Sequence, residues 1–323
     1  MSSASLRAFA PPGPQTLLPR FCKGCLVRGI CGEADSDTAC VLPAAYPAES
    51  LHPVELVRRR RLRREFEFPS APAAWAPSLG GTSVIVANSI RDVLTAHAPA
   101  ADLTASMNFT GRSPPPTPVG MGFLHGEDRL LEQLWKRAGF YADAFRDRFE
   151  VVVAPAFSTW WEFTPLDGLV AVSRTAQMAA ALARRLPTIP TVCWRNARDI
   201  VRWVGWLAKQ PPSVICVHAS TRRGKAAWSW GLEGIRILGE CLVGVGMGDT
   251  ALLAYGPSTA QRVREVSEAW PGRLMVASQH PYQLARSGRE LDGRKVATNR
   301  DDLVLRNGAA YEEMAATAVR ERS

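Results

Sequence analysis

Long apolar runs are missing from this sequence. No stretch reaches the roughly 18 consecutive apolar residues that a membrane-spanning helix needs. Residues 1–20 are rich in Pro and Ala and lack the apolar core of a signal peptide, so they read as a disordered leader and the chain as cytoplasmic. Three motifs are also absent. Without G-x-x-x-x-G-K-S/T there is no P-loop, and without H-E-x-x-H no metalloprotease helix. Without C-x3-C-x2-C the usual radical-generating cluster is not indicated. Acidic residues are the minority: 30 Asp and Glu against 39 Lys and Arg leave a net charge of +9 and a pI near 9.5. That excess favours a polyanionic partner, with a solvated basic surface as the plainer alternative. The composition, 46% hydrophobic and 21% charged, is that of a globular protein. A chain of 323 residues can hold one α/β barrel with an appendage, or two ordinary domains.

Four of the seven cysteines stand close together, at Cys22, Cys25, Cys31 and Cys40. In the spacing C-x2-C-x5-C-x8-C, the first pair can grip one metal ion from a single turn, and Gly24 and Gly32 allow a tight backbone. Four thiolates complete either a tetrahedral zinc site or the ligand set of an iron–sulfur cluster. The spacing leaves both open. Unliganded thiols are the plainer alternative, and disulfides do not suit a cytoplasmic chain. Cys193, Cys216 and Cys241 lie in apolar runs, where a reduced thiol packs as a small hydrophobe.

Residues 53–68 are expected to form a short helix, in which Arg58, Arg59, Arg60, Arg61, Arg63 and Arg64 fill six of seven consecutive positions. Guanidiniums at this density suit phosphate, since each can hold two oxygens. Glu55, Glu65 and Glu67 leave a solvated charged helix as the alternative. Residues 21–68 therefore read as a metal-and-arginine module for nucleic acid. Residues 69–82, rich in Pro, Ala and Gly, read as a linker or wrapping loop.

From residue 83 to 323 apolar runs alternate with amphipathic stretches. Candidate strands fall at 83–88, 119–123, 149–154, 188–194, 213–218, 251–256, 273–278 and 295–298. Helices lie between most of them, with a long one over 128–148 and a closing one over 302–322. Short, nearly continuous Val/Ile runs separated by helices mean βαβ units and a sheet buried on both faces. Eight alternations without a dinucleotide fingerprint predict a TIM-type (β/α)8 barrel, with an open doubly wound sheet as the alternative.

Both folds bind ligands at the carboxyl ends of their strands. Those ends carry Asn88, His125, Ser158, Trp160, Trp161, Trp194, Arg195, Asn196, His218, Ser220, Tyr255, Gln279, His280, Asn299, Arg300 and Asp301. Amides and aromatics converging on one rim suit a nucleobase or other planar heterocycle. Arg222, Arg223 and Lys225, beside Trp228 and Trp230, suit phosphate contact and stacking. For any single tryptophan the plain alternative is core packing. Carboxylates are scarce there: Glu127, Asp128, Glu162, Asp167 and Asp301. Asp128 could serve as base or nucleophile, or merely cap a helix. Ser158 has no adjacent base, so a Ser–His–Asp hydrolase is unsupported. The glycine-rich stretch 243–250 precedes a strand instead of following one, which makes it a helix stop and not a phosphate cradle.

The stretches Val153-Ala154-Pro155-Ala156-Phe157-Ser158, Pro190-Thr191-Val192-Cys193-Trp194, His218-Ala219-Ser220 and Tyr255-Gly256 resemble a family of unknown function frequent in phages, plasmids and actinobacterial genomes. The resemblance covers roughly residues 151–284. Members often carry Asp-Phe-Ser where this chain has Ala156-Phe157-Ser158, so a role for that carboxylate does not carry over. In design the chain is more distantly similar to tRNA-guanine transglycosylases and to phage relatives that insert deazaguanines into DNA. Those enzymes exchange a base through an aspartate nucleophile, with a second aspartate as acid/base. Their metal site follows the catalytic strands, whereas here the cysteines precede them. The similarity implies base exchange on nucleic acid, DNA ahead of RNA, with a small heterocyclic base as co-substrate. Asp128 or Asp301 would be the nucleophile or base, and His218 or His280 would handle the proton. Asn88, His125, Ser158, Trp194, Asn196, Tyr255 and Gln279 would contact the substrate. The alternative is a non-catalytic metal-containing protein of a mobile element that only holds nucleic acid.

Overall fold

The computed structural model describes residues 68–76, 84–86, 119–124, 128–146, 149–159, 165–219 and 224–320. Strands and helices alternate in this order: β1 Val84–Val86, β2 Val119–Phe123, α1 Asp128–Lys136, α2 Ala138–Arg146, β3 Phe149–Val153, α3 Pro165–Ala183, β4 Thr188–Ile189, β5 Thr191–Val192, α4 Ala197–Leu207, β6 Val214–His218, α5 Lys225–Gly244, β7 Ala251–Tyr255, α6 Ala260–Ala269, β8 Leu274–Ser278, α7 His280–Arg286 and α8 Arg300–Arg320. Every strand pairing is parallel, and the fold is α/β.

β4 and β5 are halves of one extended segment interrupted by Pro190. Proline has no N–H to give to a ladder, but the Pro190 carbonyl accepts from the Cys216 N–H at 2.9 Å. β4 pairs with β3, and β5 with β6. Segment 188–192 thus joins a three-stranded sheet, β2-β3-β4, to a five-stranded one, β5-β6-β7-β8-β1. Neighbours follow chain order throughout, and the last strand, β8, pairs with the first, β1. Among the described residues β1 and β2 do not pair, so the sheets are not closed by hydrogen bonds there.

The two faces of the strands enter different clusters, as a period of two requires. Phe123, Val151, Val153, Ile189, Val214, Cys216, Ala251, Leu253, Tyr255, Met275 and Ala277 pack together with Ala76. Val152, Val192, Ile215, Val217, Leu252, Ala254, Leu274 and Val276 face the other way. They meet helix residues such as Leu134, Phe145, Val172, Ile200, Leu238 and Val263. No helix residue enters the first cluster. A doubly wound sheet carries helices on both faces; here the described helices cover one. The rings of Phe123 and Tyr255 nevertheless lie 5.2 Å apart across the helix-free face. Their strands, β2 and β7, are four places apart in the order, which in a flat sheet would separate them by about 19 Å. The sheet therefore curls around its helix-free face.

Residues 68–76 cross the amino ends of the strands as a strap. The Ala76 N–H donates to the Thr188 carbonyl at 3.0 Å, and the Ser213 hydroxyl donates to the Ala76 carbonyl at 3.2 Å. Two indoles fasten the rest: Trp206 Nε1 donates to the Pro69 carbonyl at 2.8 Å, and Trp75 Nε1 to the Gln210 carbonyl at 2.7 Å. Phe68 stacks on Trp206. This part of the stretch 69–82 wraps the domain.

Two expected elements differ. The long helix over 128–148 is two helices that meet at Arg137. The eighth strand at 295–298 does not form: Lys295 makes only an isolated antiparallel bridge to Arg289. Val296 is the one large apolar residue of that stretch, too little for a buried strand, and Gly288 and Gly293, at φ 68° and 88°, fold the neighbouring chain into turns. In its place comes α7, started by Pro281, whose fixed φ suits a first helical turn. With 188–192 taken once, the described strands occupy seven positions instead of eight. The glycine-rich stretch is a helix stop as expected: Gly246 adopts φ 79° and the Met247 N–H returns to the Leu242 carbonyl at 2.8 Å.

Candidate active site at the strand ends

β6 and β7 end side by side in His218 and Tyr255, which are register partners. His218 follows Val214 and Cys216 at steps of two, so it shares their helix-free face. Its ring lies 4.4 Å from that of Tyr255, which in turn meets Phe123. Tyr255 is 1% exposed, and burial drives its phenol far above the usual range, so it stays protonated. His218 is half-buried at the carboxyl end of β6. One layer deeper, burial raises the Cys216 thiol from 9.0 to about 12, although its bond to Thr191 opposes the shift. Cys216 is therefore a packing residue and not a nucleophile.

β8 ends in Ser278, followed by the half-buried Gln279 and His280. The His280 N–H donates to the Ser278 hydroxyl at 3.1 Å. Burial lowers the His280 pKa below 6.5, which keeps the imidazole neutral at pH 7. The Tyr311 hydroxyl, midway along α8, donates to the Pro257 carbonyl just past β7 and bonds Ser278. One helix thus ties two strand ends together.

β5 leads into a buried charge cluster. Asp199 is fully buried and accepts from Arg195 Nε at 2.9 Å and Arg195 Nη2 at 3.0 Å. It also accepts from the Arg195 backbone N–H at 3.0 Å and from Arg202 Nη1 at 3.1 Å. Gly168 of α3 makes room for this pair: a Cβ there would lie 1.9 Å from Arg195 Cδ. Asn196 caps α4, its side-chain oxygen accepting from the N–H groups of Arg198 and Asp199. Past β3, the Phe157 N–H donates to Thr175 Oγ1 at 3.0 Å. The Arg174 guanidinium lies 5.9 Å from the Phe157 ring and 5.8 Å from that of Trp135, and pairs with Glu132. Ala156 and Ser158 are half-buried beside this group.

Of the residues expected at the rim, His218, Gln279, His280, Ser158 and Asn196 do follow strand ends, Asn196 as a helix cap. Tyr255 is there but buried. Trp194 is not a rim residue: it is fully buried, packed on Trp230 and against Gly234, where a Cβ would come within 2.3 Å of its Nε1. Trp228 and Trp230 are buried as well and offer no stacking platform. Trp228 Nε1 donates to Glu265, and Arg262 covers its ring at 4.5 Å. Lys225 is exposed at the start of α5. Without an eighth strand, Asn299, Arg300 and Asp301 do not mark a strand end. Asp301 lies in the first turn of α8, ten residues before Tyr311, or about 15 Å along the axis. Asp128 opens α1, five residues after the end of β2. Asn88, His125, Arg222, Arg223, the arginines at 58–64 and Cys22, Cys25, Cys31 and Cys40 lie outside the described residues.

Arg202 and Asp199 had not been singled out. Their signal was in the spacing, since Arg195, Asp199 and Arg202 stand at i, i+4 and i+7, one face of a helix. Tyr311 carried no signal, because its partners are distant in sequence. Among the described residues no group of three or more His, Cys, Asp or Glu could hold a metal, and no helix is long and apolar enough to cross a membrane. Comparisons with family models, curated proteins and solved structures return no match for this chain.

Proposed function

We propose that the two sheets form a single α/β barrel of seven strand positions, with its seam between β1 and β2, and that its carboxyl mouth exchanges a base in nucleic acid. The observation that carries this reading is the Phe123–Tyr255–His218 stack. It draws strands from distant places in the sheet order around one apolar face and sets an imidazole at the strand ends. Parallel α/β folds place their chemistry at that end.

In the proposed reaction Asp128, on the loop-to-helix junction after β2, attacks the anomeric carbon as a carboxylate. The C–O bond forms as the glycosidic C–N bond breaks, and the departing base takes a proton from His218 in its imidazolium form, which solvent then restores. The incoming base then displaces the carboxylate and loses its own proton. His280, held neutral by its burial, suits that acceptor step. Cys22, Cys25, Cys31 and Cys40 would hold zinc, or alternatively an iron–sulfur cluster, in a module that docks nucleic acid with Arg58–Arg61, Arg63 and Arg64. Arg222, Arg223 and Lys225 would meet the backbone at the mouth. DNA of a phage or other mobile element is the proposed substrate, ahead of RNA.

One observation favours the second reading, a barrel that binds nucleic acid without catalysis. Asp301 lies in the first turn of α8, ten residues before the Tyr311 that reaches the strand ends, and Ala156 is not a carboxylate, so of the nominated acids Asp128 alone follows a strand end closely. Incorporation of radiolabelled guanine and 7-deazaguanine into duplex DNA and tRNA separates the two. Base exchange predicts incorporation that falls at least about a hundredfold in Asp128→Asn. Full activity in that variant would remove Asp128 from the mechanism. Tight binding with no incorporation would establish the non-catalytic reading.

A further inference from the structure

At the opposite end of the molecule, we infer a second nucleic-acid contact, centred on Phe140 of α2. Phe140 is 67% exposed and is the exposed aromatic among the described large hydrophobics. Lys136 and Arg137 stand one turn before it at the α1–α2 junction, both exposed. Arg184 and Arg185 follow α3 and are exposed too, and a Cβ on Gly139 would lie 3.4 Å from the Arg185 guanidinium, so the two arginine-bearing elements meet at this point. Arg146 closes α2. Among the described residues, the carboxylates near these five cations are Asp143, shared between Arg185 at 2.6 Å and Arg146 at 3.8 Å, the exposed Glu150, and Glu132, which pairs with Arg174. Lys136 and Arg137 have no carboxylate partner among the described residues.

The patch lies on the amino side of the sheet. Arg185 is three residues before β4, and Arg146 is three before β3. The strap 68–76 crosses that same side, and its first residue, Phe68, directly follows the stretch that holds the arginine run. A solvent-facing ring on a helix flanked by exposed cations matches single-stranded nucleic acid: guanidinium and ammonium groups track the phosphates, and the ring stacks an unpaired base. An acidic protein surface would satisfy the cations but would leave the exposed ring without a flat partner.

This inference rests on the nucleic-acid reading above, and one assay on the full chain keeps the two apart. The probe is a fluorescein-labelled oligothymidylate of about 20 nucleotides, titrated by anisotropy over a range of salt, with a duplex of equal length beside it. Phe140→Ala should weaken single-strand binding by about 5- to 150-fold and duplex binding much less. The triple variant Lys136→Gln, Arg137→Gln, Arg184→Gln should lower the slope of log K against log salt by about 2. Circular dichroism melts confirm that both variants fold, and all substituted side chains are exposed. If both variants bind like the wild type while substitution of Arg58–Arg64 flattens the slope, the Phe140 contact is wrong and the nucleic-acid reading survives. If the wild type binds neither probe, both fall. If Phe140→Ala changes only the sedimentation coefficient, the patch is a contact between copies of the chain, which also overturns the inference.

Discussion

Replacing Asp199 should be among the most damaging single changes at the strand ends. Its carboxylate is fully buried and receives bonds from Arg195 Nε, Arg195 Nη2, the Arg195 backbone N–H and Arg202 Nη1. Arg195 is itself nearly buried, its side chain 7% exposed, whereas Arg202 at 20% keeps some access to water. Removing the acid therefore strands one guanidinium in the interior, and breaking such a pair costs about 3–5 kcal/mol. Asp199→Asn keeps one acceptor oxygen and should fall near the lower end, about 3 kcal/mol. Asp199→Ala should fall near the upper end. For a domain of this size about 3 kcal/mol corresponds to a drop of roughly 6–12 °C in Tm. Urea unfolding followed by tryptophan fluorescence, with calorimetry beside it, measures both. The double variant Arg195→Met, Asp199→Leu should recover much of the loss, because an apolar pair leaves no charge stranded. A cost below about 1 kcal/mol for Asp199→Ala would refute the reasoning, since it would mean that water reaches Arg195.

Two further predictions follow from packing and burial. Gly234→Ala gains up to about 1 kcal/mol of helix propensity, yet its Cβ would lie 2.3 Å from Trp194 Nε1; net destabilisation by roughly 1–3 kcal/mol is expected, and a rise in Tm would show that Trp194 is free to move. Native protein at pH 8 should leave Cys216 unalkylated by iodoacetamide while, of the three described cysteines, half-exposed Cys241 reacts first, which peptide mapping reads. Because the folded thiol of Cys216 is raised, its contribution is complete below pH 9 and is lost as pH climbs towards about 12. Cys216→Ala should remove that part of the alkaline slope.

Much of the architecture was legible because the strands are short Val/Ile runs buried on both faces, a pattern with few alternatives. The same pattern could not reveal how the sheet curls. That depends on Phe123 meeting Tyr255, residues 132 positions apart whose contact has no local signature. Lys295–Thr298 was misread because a lone Val296 between polar residues resembles a weak edge strand. The error carried Asp301 onto a rim it does not border. The rim residues that follow strands directly, His218 and His280, were found by position alone. Trp194 was placed there by the same rule, but it follows Val192 where the chain already turns towards α4 and α5, so its indole packs outward against Gly234. Asn196 shows a polar residue at a strand end serving the next helix. Asp199 lies in the first turn of α4, past the strand end, where a strand-end rule does not reach.

The claim beneath all of this is that the sheet closes around its helix-free face, and a double-mutant cycle between Phe123 and Tyr255 tests it most directly. The account predicts that Phe123→Ala and Tyr255→Ala, each costing about 3–5 kcal/mol, are coupled by at least about 0.5 kcal/mol. Phe123 paired with Val263, which lies in the helix-facing cluster, should be additive within about 0.3–0.5 kcal/mol. Additivity of Phe123 and Tyr255 to the same tolerance would mean that β2 and β7 do not face each other, and would contradict the barrel and the site built on it.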